Sequence, residues 1–136
     1  MTRLLVIDDE PDVRDVLSQV LERAGYEVTV ATTAHTGLAQ CREARPAVVI
    51  TDIIMPGGHG VDLIRTLRSE FPQIGIIAMS GGGNAAIAGY QPGTIATAAY
   101  MAAAEQAGAN FCLTKPFERA ELLDRIVELV SAPQSR

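Results

Sequence analysis

Cysteine is scarce in this chain. Cys41 and Cys112 are the only two among 136 residues, and their separation suits neither a metal-ligand pair nor a redox dithiol. They read as inert, small apolar groups in a reducing compartment. Basic residues are few as well. Eleven Lys and Arg against 16 Asp and Glu leave a formal charge of −5, which argues against a direct nucleic-acid surface. No apolar run is long enough to span a bilayer. Between Met1-Thr2-Arg3 and Asp8 stand only Leu4 to Ile7, too short a stretch for a secretory signal. The expectation is a cytoplasmic chain with no membrane contact. Gly81-Gly82-Gly83 lacks the lysine and threonine that would follow in a nucleotide-binding loop. His35 and His59 have no metal partner in sequence and read as surface residues.

What is present is a repeated alternation. The composition, 48% hydrophobic and 20% charged, is that of one ordinary globular domain. Leu4 to Ile7 reads as a buried strand ending on Asp8-Asp9-Glu10. Pro11 suits the first turn of a helix, and Val13, Val16, Leu17, Val20 and Leu21 follow helical spacing. Gly25 is the expected stop, and Tyr26 to Ala31 a second strand. Thr32-Thr33 offers a cap to a second helix closed by Pro46, with Gly37 weakening it. Ala47 to Asp52 is a β-branched run, as for a strand buried on both faces, and Pro56 with Gly57 and Gly58 stops it. Val61, Ile64 and Leu67 mark a third helix ended by Phe71-Pro72. Ile74 to Met79 is a fourth strand reaching Ser80. A glycine-rich segment over 81–94 has loop composition and is expected to be mobile, since its glycines have most entropy to lose on ordering. An alanine-rich helix from near Ile95 or Thr97 to Gln106, a strand Phe111 to Thr114 and a helix carrying Leu122, Leu123, Ile126, Val127 and Val130 complete a domain over 1–131. Residues 132–136 form a polar tail.

Strand then helix, five times, predicts an α/β fold with a parallel sheet and helices on both faces. Five strands favour the flavodoxin-like doubly wound order 2-1-3-4-5. All strands of such a sheet share one carboxyl edge, and four of them end on polar or charged residues: Asp8 and Asp9, Asp52, Ser80 and Lys115. The doubly wound order makes these four strands neighbours, so the groups converge. Three carboxylates at one place repel each other and call for a hard cation. Oxygen ligands in that number suit Mg²⁺ with waters completing its shell. Lys115 adds a compact positive charge for an anion, and the Ser80 hydroxyl a donor. A strand-end aspartate is a competent nucleophile toward phosphoryl groups, and positioning with charge neutralisation supplies most of the catalysis of such a transfer. The set reads as a phosphate acceptor with Asp52 as nucleophile.

These residues resemble those of the receiver domains of two-component response regulators. The resemblance covers essentially the whole chain. It is carried by Val6-Ile7-Asp8-Asp9-Glu10-Pro11, by Asp52-Ile53-Ile54-Met55-Pro56 with Gly60, by Met79-Ser80-Gly81 and by Lys115-Pro116-Phe117. It implies that Asp52 accepts a phosphoryl group from a sensor histidine kinase or phosphotransfer protein. It implies Mg²⁺ ligation by Asp9, Asp52 and the Ile54 main-chain carbonyl, with Asp8 acting mainly through water. Ser80 would be the switch hydroxyl, Lys115 would pair with the phosphate, and the Lys115-Pro116 bond would be cis. Such a protein catalyses only its own phosphorylation and dephosphorylation. It then contacts a downstream protein target, in some cases as a phosphorylation-dependent dimer. Two positions depart from the family pattern. The aromatic partner of the switch hydroxyl normally lies three residues before the lysine, where this chain has Cys112. Phe111, one earlier, faces the opposite side of its strand. The span from Ser80 to Gly108 is also longer than the family uses. Tyr90 and Tyr100, in and beside that segment, are candidate partner contacts.

Two other readings compete. A phosphatase of the haloacid dehalogenase type also uses a strand-end aspartate with Mg²⁺, but it carries a second acid two residues later. Here Ile54 follows Asp52 at that distance, and Glu10 follows Asp8. A receiver that only docks partners and takes no phosphate would have less use for the acidic set.

Overall fold

The computed structural model describes residues 2–55, 58–80 and 95–131. The expectations for 81–94, including Tyr90, and for the tail 132–136 lie outside them. The elements in chain order are β1 (Arg3–Ile7), α1 (Pro11–Arg23), β2 (Glu27–Ala31), α2 (Ala34–Ala44) and β3 (Val48–Asp52). There follow β4 (Ile54–Met55), β5 (Gly58–His59), α3 (Gly60–Glu70), β6 (Gly75–Ser80), α4 (Ile95–Ala107), β7 (Phe111–Thr114) and α5 (Arg119–Ser131). The main sheet runs β2-β1-β3-β6-β7, with every neighbouring pair parallel. Numbered among themselves, its strands have the expected order 2-1-3-4-5.

Alternation along the strands sorts the apolar side chains into two layers. Leu5, Ile7, Val49, Ile76 and Ala78 face Cys41 of α2, Leu63, Ile64 and Leu67 of α3, and Ala104 of α4. Leu4, Val6, Val48, Ile50, Ile77 and Met79 face Leu17 and Leu21 of α1, and Leu122 and Ile126 of α5. β3 is buried along its whole length, as its β-branched run requires. Val16 and Val127, which helical spacing places with the inner residues, are each 51% exposed. Their apolar stripes are wider than the arc the sheet covers.

Local chemistry accounts for most of the boundaries. Pro11 opens α1, and Gly25 turns the chain with φ +100°. Thr33 and Thr36 form a reciprocal capping box at the start of α2. α2 ends on Arg45 in the left-handed region, φ 51°, whose N–H donates to the Cys41 carbonyl, so it closes one residue before Pro46. Gly37 has a packing role in that helix: a Cβ there would lie 2.9 Å from Ile7 Cγ1, so its absence lets α2 rest directly on β1. The short antiparallel ladder of β4 with β5, pairing Ile54 with His59 and Met55 with Gly58, is not signalled by the sequence, where Pro56 reads only as a stop.

At the amino edge of the sheet Arg68 acts as a clamp. All five of its N–H groups are used. Nε and Nη2 donate to the Gly108 carbonyl at 3.1 and 2.8 Å, and Nη1 to the Pro72 and Ile74 carbonyls at 2.8 and 2.7 Å. Nη2 also donates to Asn110 Oδ1 at 2.8 Å. The same Asn110 oxygen accepts from the Ile76 N–H, tying α3 to the starts of β6 and β7. In β7, Phe111 packs on the α1 and α5 side, with the Arg125 guanidinium 5.0 Å from its ring centre. Cys112 faces α4, its thiol donating to the Met101 carbonyl at 3.5 Å.

Candidate functional site

The site is built where four strands of the main sheet end. β1 delivers Asp8 as it leaves the sheet, its N–H still donating to the Ala31 carbonyl of β2. The turn that follows is drawn tight by Asp8 itself, whose Oδ1 accepts the Glu10 N–H at 2.9 Å, a local bond aspartate makes readily. Arg14, one turn into α1, donates from Nη1 to the Asp8 carbonyl at 2.9 Å. At the end of β3, Asp52 Oδ1 accepts the Ile54 N–H at 3.2 Å, and the Ile53 N–H donates to the Met79 carbonyl. Gly60 donates to the Ile53 carbonyl at 3.0 Å, which folds the loop back onto the strand end. β7 delivers Lys115, whose N–H donates to the Ser80 carbonyl at 2.8 Å. The Lys115-Pro116 bond is cis.

These backbones bring three distant side chains together. Lys115 Nζ lies 3.0 Å from Asp8 Oδ2 and 3.1 Å from Asp52 Oδ2. Asp8, Asp52 and Lys115 are all buried. A third carboxylate joins them: Glu10 Oε1 is 3.3 Å from the same ammonium. Among the described residues, Asp8, Glu10 and Asp52 form a group whose carboxylate oxygens lie close enough together to share one cation. Asp9 is not in that set and lies half-buried beside it. Ser80 is fully buried, and its hydroxyl oxygen has no hydrogen-bond partner among the described residues.

One ammonium among three carboxylates leaves the site with excess negative charge. Burial pushes the Asp52 carboxyl up to about 6, and the Asp8 carboxylate adds to this while Lys115 opposes it. For Lys115, burial disfavours the charge, but the carboxylates of Asp52 and Asp8 outweigh it and hold the ammonium above the usual lysine range. Such a site attracts further positive charge.

Of the residues singled out from sequence, the structure joins Asp8, Asp52 and Lys115 in direct contact and sets Ser80 at the adjoining strand end. Ile54 reaches Asp52 through its main-chain N–H. Glu10 is the member that sequence reasoning left out of the site. Its signal was its place as the third consecutive acid at a strand end.

A doubly wound sheet whose carboxyl edge carries a buried Asp–Lys–Asp cluster defines an α/β protein with a charged cluster at its switch point. The family model for the response regulator receiver domain matches residues 4–127, and the chain belongs to that family. It is 34% identical over 126 residues to the C4-dicarboxylate transport transcriptional regulatory protein DctD of Pseudomonas aeruginosa, covering 92% of this chain and 24% of that protein. It is 31% identical over 133 residues to the DNA-binding transcriptional regulator NtrC of a Bradyrhizobium species, covering 98% of this chain and 25% of that one. The chain thus spans about a quarter of the length of these curated relatives. Among solved structures, a response regulator receiver domain protein of Clostridium thermocellum superposes with a TM-score of 0.81 at 28% identity, over 96% of this chain and 94% of the other. The receiver domain of NtrX from Brucella abortus gives 0.80 at 26% identity, over 96% and 99%.

Proposed function

We propose that this chain is a phosphoacceptor, with Asp52 taking a phosphoryl group from the phosphohistidine of a sensor histidine kinase or phosphotransfer protein. The observation that carries this reading is the setting of the Asp52 carboxylate. One oxygen is held by the Ile54 N–H and the other by Lys115, on a buried strand end that opens toward the acidic cluster. In the transfer, an Asp52 oxygen forms a bond to phosphorus as the phosphorus–nitrogen bond to the donor breaks. Lys115 is placed to neutralise the phosphoryl oxygens, and the Ser80 hydroxyl, without a partner among the described residues, would donate to them.

The donor set fits Mg²⁺, since it is all oxygen, excess in negative charge and partly open to water. Asp8, Asp9 and Asp52 would hold the ion with the Ile54 carbonyl, and Glu10 lies within the same group of carboxylates. When bound, it supplies charge neutralisation of the phosphoryl group. The chain would act only on its own phosphorylation and dephosphorylation, and would pass the signal to a downstream protein through altered contacts, with a phosphorylation-dependent dimer as one form of output. Among the described residues no helix is long and apolar enough to cross a membrane. In this reading the chain acts in the cytoplasm beside a kinase. A phosphatase of the haloacid dehalogenase type is disfavoured because the position two residues after Asp52 is Ile54, which reaches the carboxylate through its N–H rather than with an acid.

Incubation with acetyl phosphate and Mg²⁺, followed by intact-mass measurement, tests the reading. One added phosphoryl group is expected, absent in Asp52→Asn. Label retained by Asp52→Asn, or turnover of a generic phosphomonoester, would overturn it.

A further inference from the structure

Lys115 is shared among three carboxylates, and the three shares are unequal. An ammonium has three protons to donate. Here Asp8 Oδ2, Asp52 Oδ2 and Glu10 Oε1 take them at 3.0, 3.1 and 3.3 Å. The Asp8 and Asp52 side chains are 1% and 6% exposed, and that of Glu10 is 25% exposed. Both aspartates are also fixed through their other oxygens, by the N–H groups of Glu10 and Ile54. Glu10 occupies the N-cap position of α1, yet its side chain makes no capping bond there. It reaches across to Lys115 instead.

We infer that Glu10 is a positioning residue that restrains Lys115 in the resting site and competes with an incoming phosphoryl group for its ammonium. The inference rests on Asp52 being the phosphoacceptor. A phosphoryl group brings more negative charge than the carboxylate oxygen that Lys115 now contacts, and it draws the ammonium off one of its present partners. Asp52 ceases to be a carboxylate once it is bonded to phosphorus, and the phosphoryl oxygens take its place on the ammonium. Of the two remaining partners, releasing Asp8 would leave a buried carboxylate without its counter-charge, which is costly. Releasing Glu10 returns a partly solvated carboxylate to water, at the small cost of a surface ion pair. The longest and wettest contact is therefore the one that yields. In consequence Glu10 weakens the grip of the site on phosphate, and its removal strengthens that grip.

Two substitutions separate contact from charge. Glu10→Gln keeps the reach of the side chain and loses its charge. Glu10→Asp keeps the charge and loses the reach. Neither removes a helix cap, since the Glu10 side chain makes none. Beryllofluoride, a phosphoryl mimic, is titrated into each protein at saturating Mg²⁺ and followed by ¹⁹F NMR, so that any share of Glu10 in metal binding drops out. Both variants are expected to bind the mimic about threefold tighter than the parent chain, the scale of one partly exposed ion pair. The inference is overturned by unchanged or weaker binding in both variants. It is overturned equally by tightening in Glu10→Gln alone, which would make Glu10 a distant charge and not a restraint. If the parent chain fails to bind beryllofluoride at all, the phosphoacceptor reading falls, and this inference with it.

Discussion

Gly60 lies against the end of the strand that carries Asp52: a Cβ at Gly60 would stand 2.6 Å from the Asp52 carbonyl oxygen and 2.6 Å from Ile53 Cα. Both neighbours are backbone, so neither can turn aside. Gly60→Ala is expected to push the 52–54 segment outward and to disturb the bond between the Ile54 N–H and Asp52. Acetyl phosphate labelling should fall about tenfold or more, since displacements near 1 Å at a reacting group have effects of that order. Labelling at the parent rate would show that the loop absorbs the methyl without moving the carboxylate.

Asp9 stands half-buried beside the carboxylates gathered on Lys115 and outside their tight cluster. Asp9→Ala is expected to raise the Mg²⁺ concentration needed for phosphorylation. Chelation of the metal should stop labelling of the parent chain altogether. An identical Mg²⁺ titration curve in parent and variant would remove Asp9 from the ligand set.

Arg68 sits far from Asp52, on the opposite edge of the sheet, and its worth is structural. Arg68→Met leaves the carbonyls of Gly108, Pro72 and Ile74 without their donor. A loss of about 2 kcal/mol in urea unfolding is expected, at the usual cost of partly buried acceptors left unsatisfied. Labelling of Asp52 in the folded fraction should be unaffected. Unfolding at the parent urea midpoint would mean that water replaces the guanidinium without penalty.

The two thiols make stability depend on alkaline pH. Burial foremost, with the Glu70 carboxylate, pushes the Cys41 thiol up to about 11 against the opposing pull of Arg45 and Arg42. Burial and then Glu105 do the same for Cys112. An acid whose pKa is raised by folding favours the folded state fully below its unfolded pKa, near 9, and loses that contribution as pH climbs toward 11. The free energy of unfolding should therefore fall between pH 9 and pH 11, and fall less steeply in Cys41→Ala. Equal slopes in the two proteins would count against the buried-thiol account.

Much of this architecture is legible in the sequence because it depends on periodicity and on punctuation. The β-branched run into Asp52, the proline at the head of α1 and the threonines before α2 each act over a few residues. The order of the sheet follows from their repetition. What was not legible depends on distance along the chain. Glu10 reads as one more acid in a turn until Lys115, 105 residues away, comes to rest beside it. Nothing in the sequence singles out Arg68, because the carbonyls that surround it belong to loops whose approach no local pattern announces. Gly37 reads as a weakness in a helix, and only the packing of that helix over Ile7 shows why a side chain is excluded. The exposure of Val16 and Val127 has the same origin, since periodicity marks an apolar stripe and not the width of the surface that meets it.

The counter-charge that settles the acidic cluster comes from residue 115, and every carboxylate it serves precedes residue 53. A chain emerging from the ribosome therefore exposes Asp8, Glu10 and Asp52 long before it can offer Lys115. Until β7 docks, closing the sheet around those acids means burying charge without compensation. Completion of the site awaits the synthesis of β7: a nascent chain that stops short of it holds Asp52 in an unassembled state, and the fifth strand of the sheet brings the site into being.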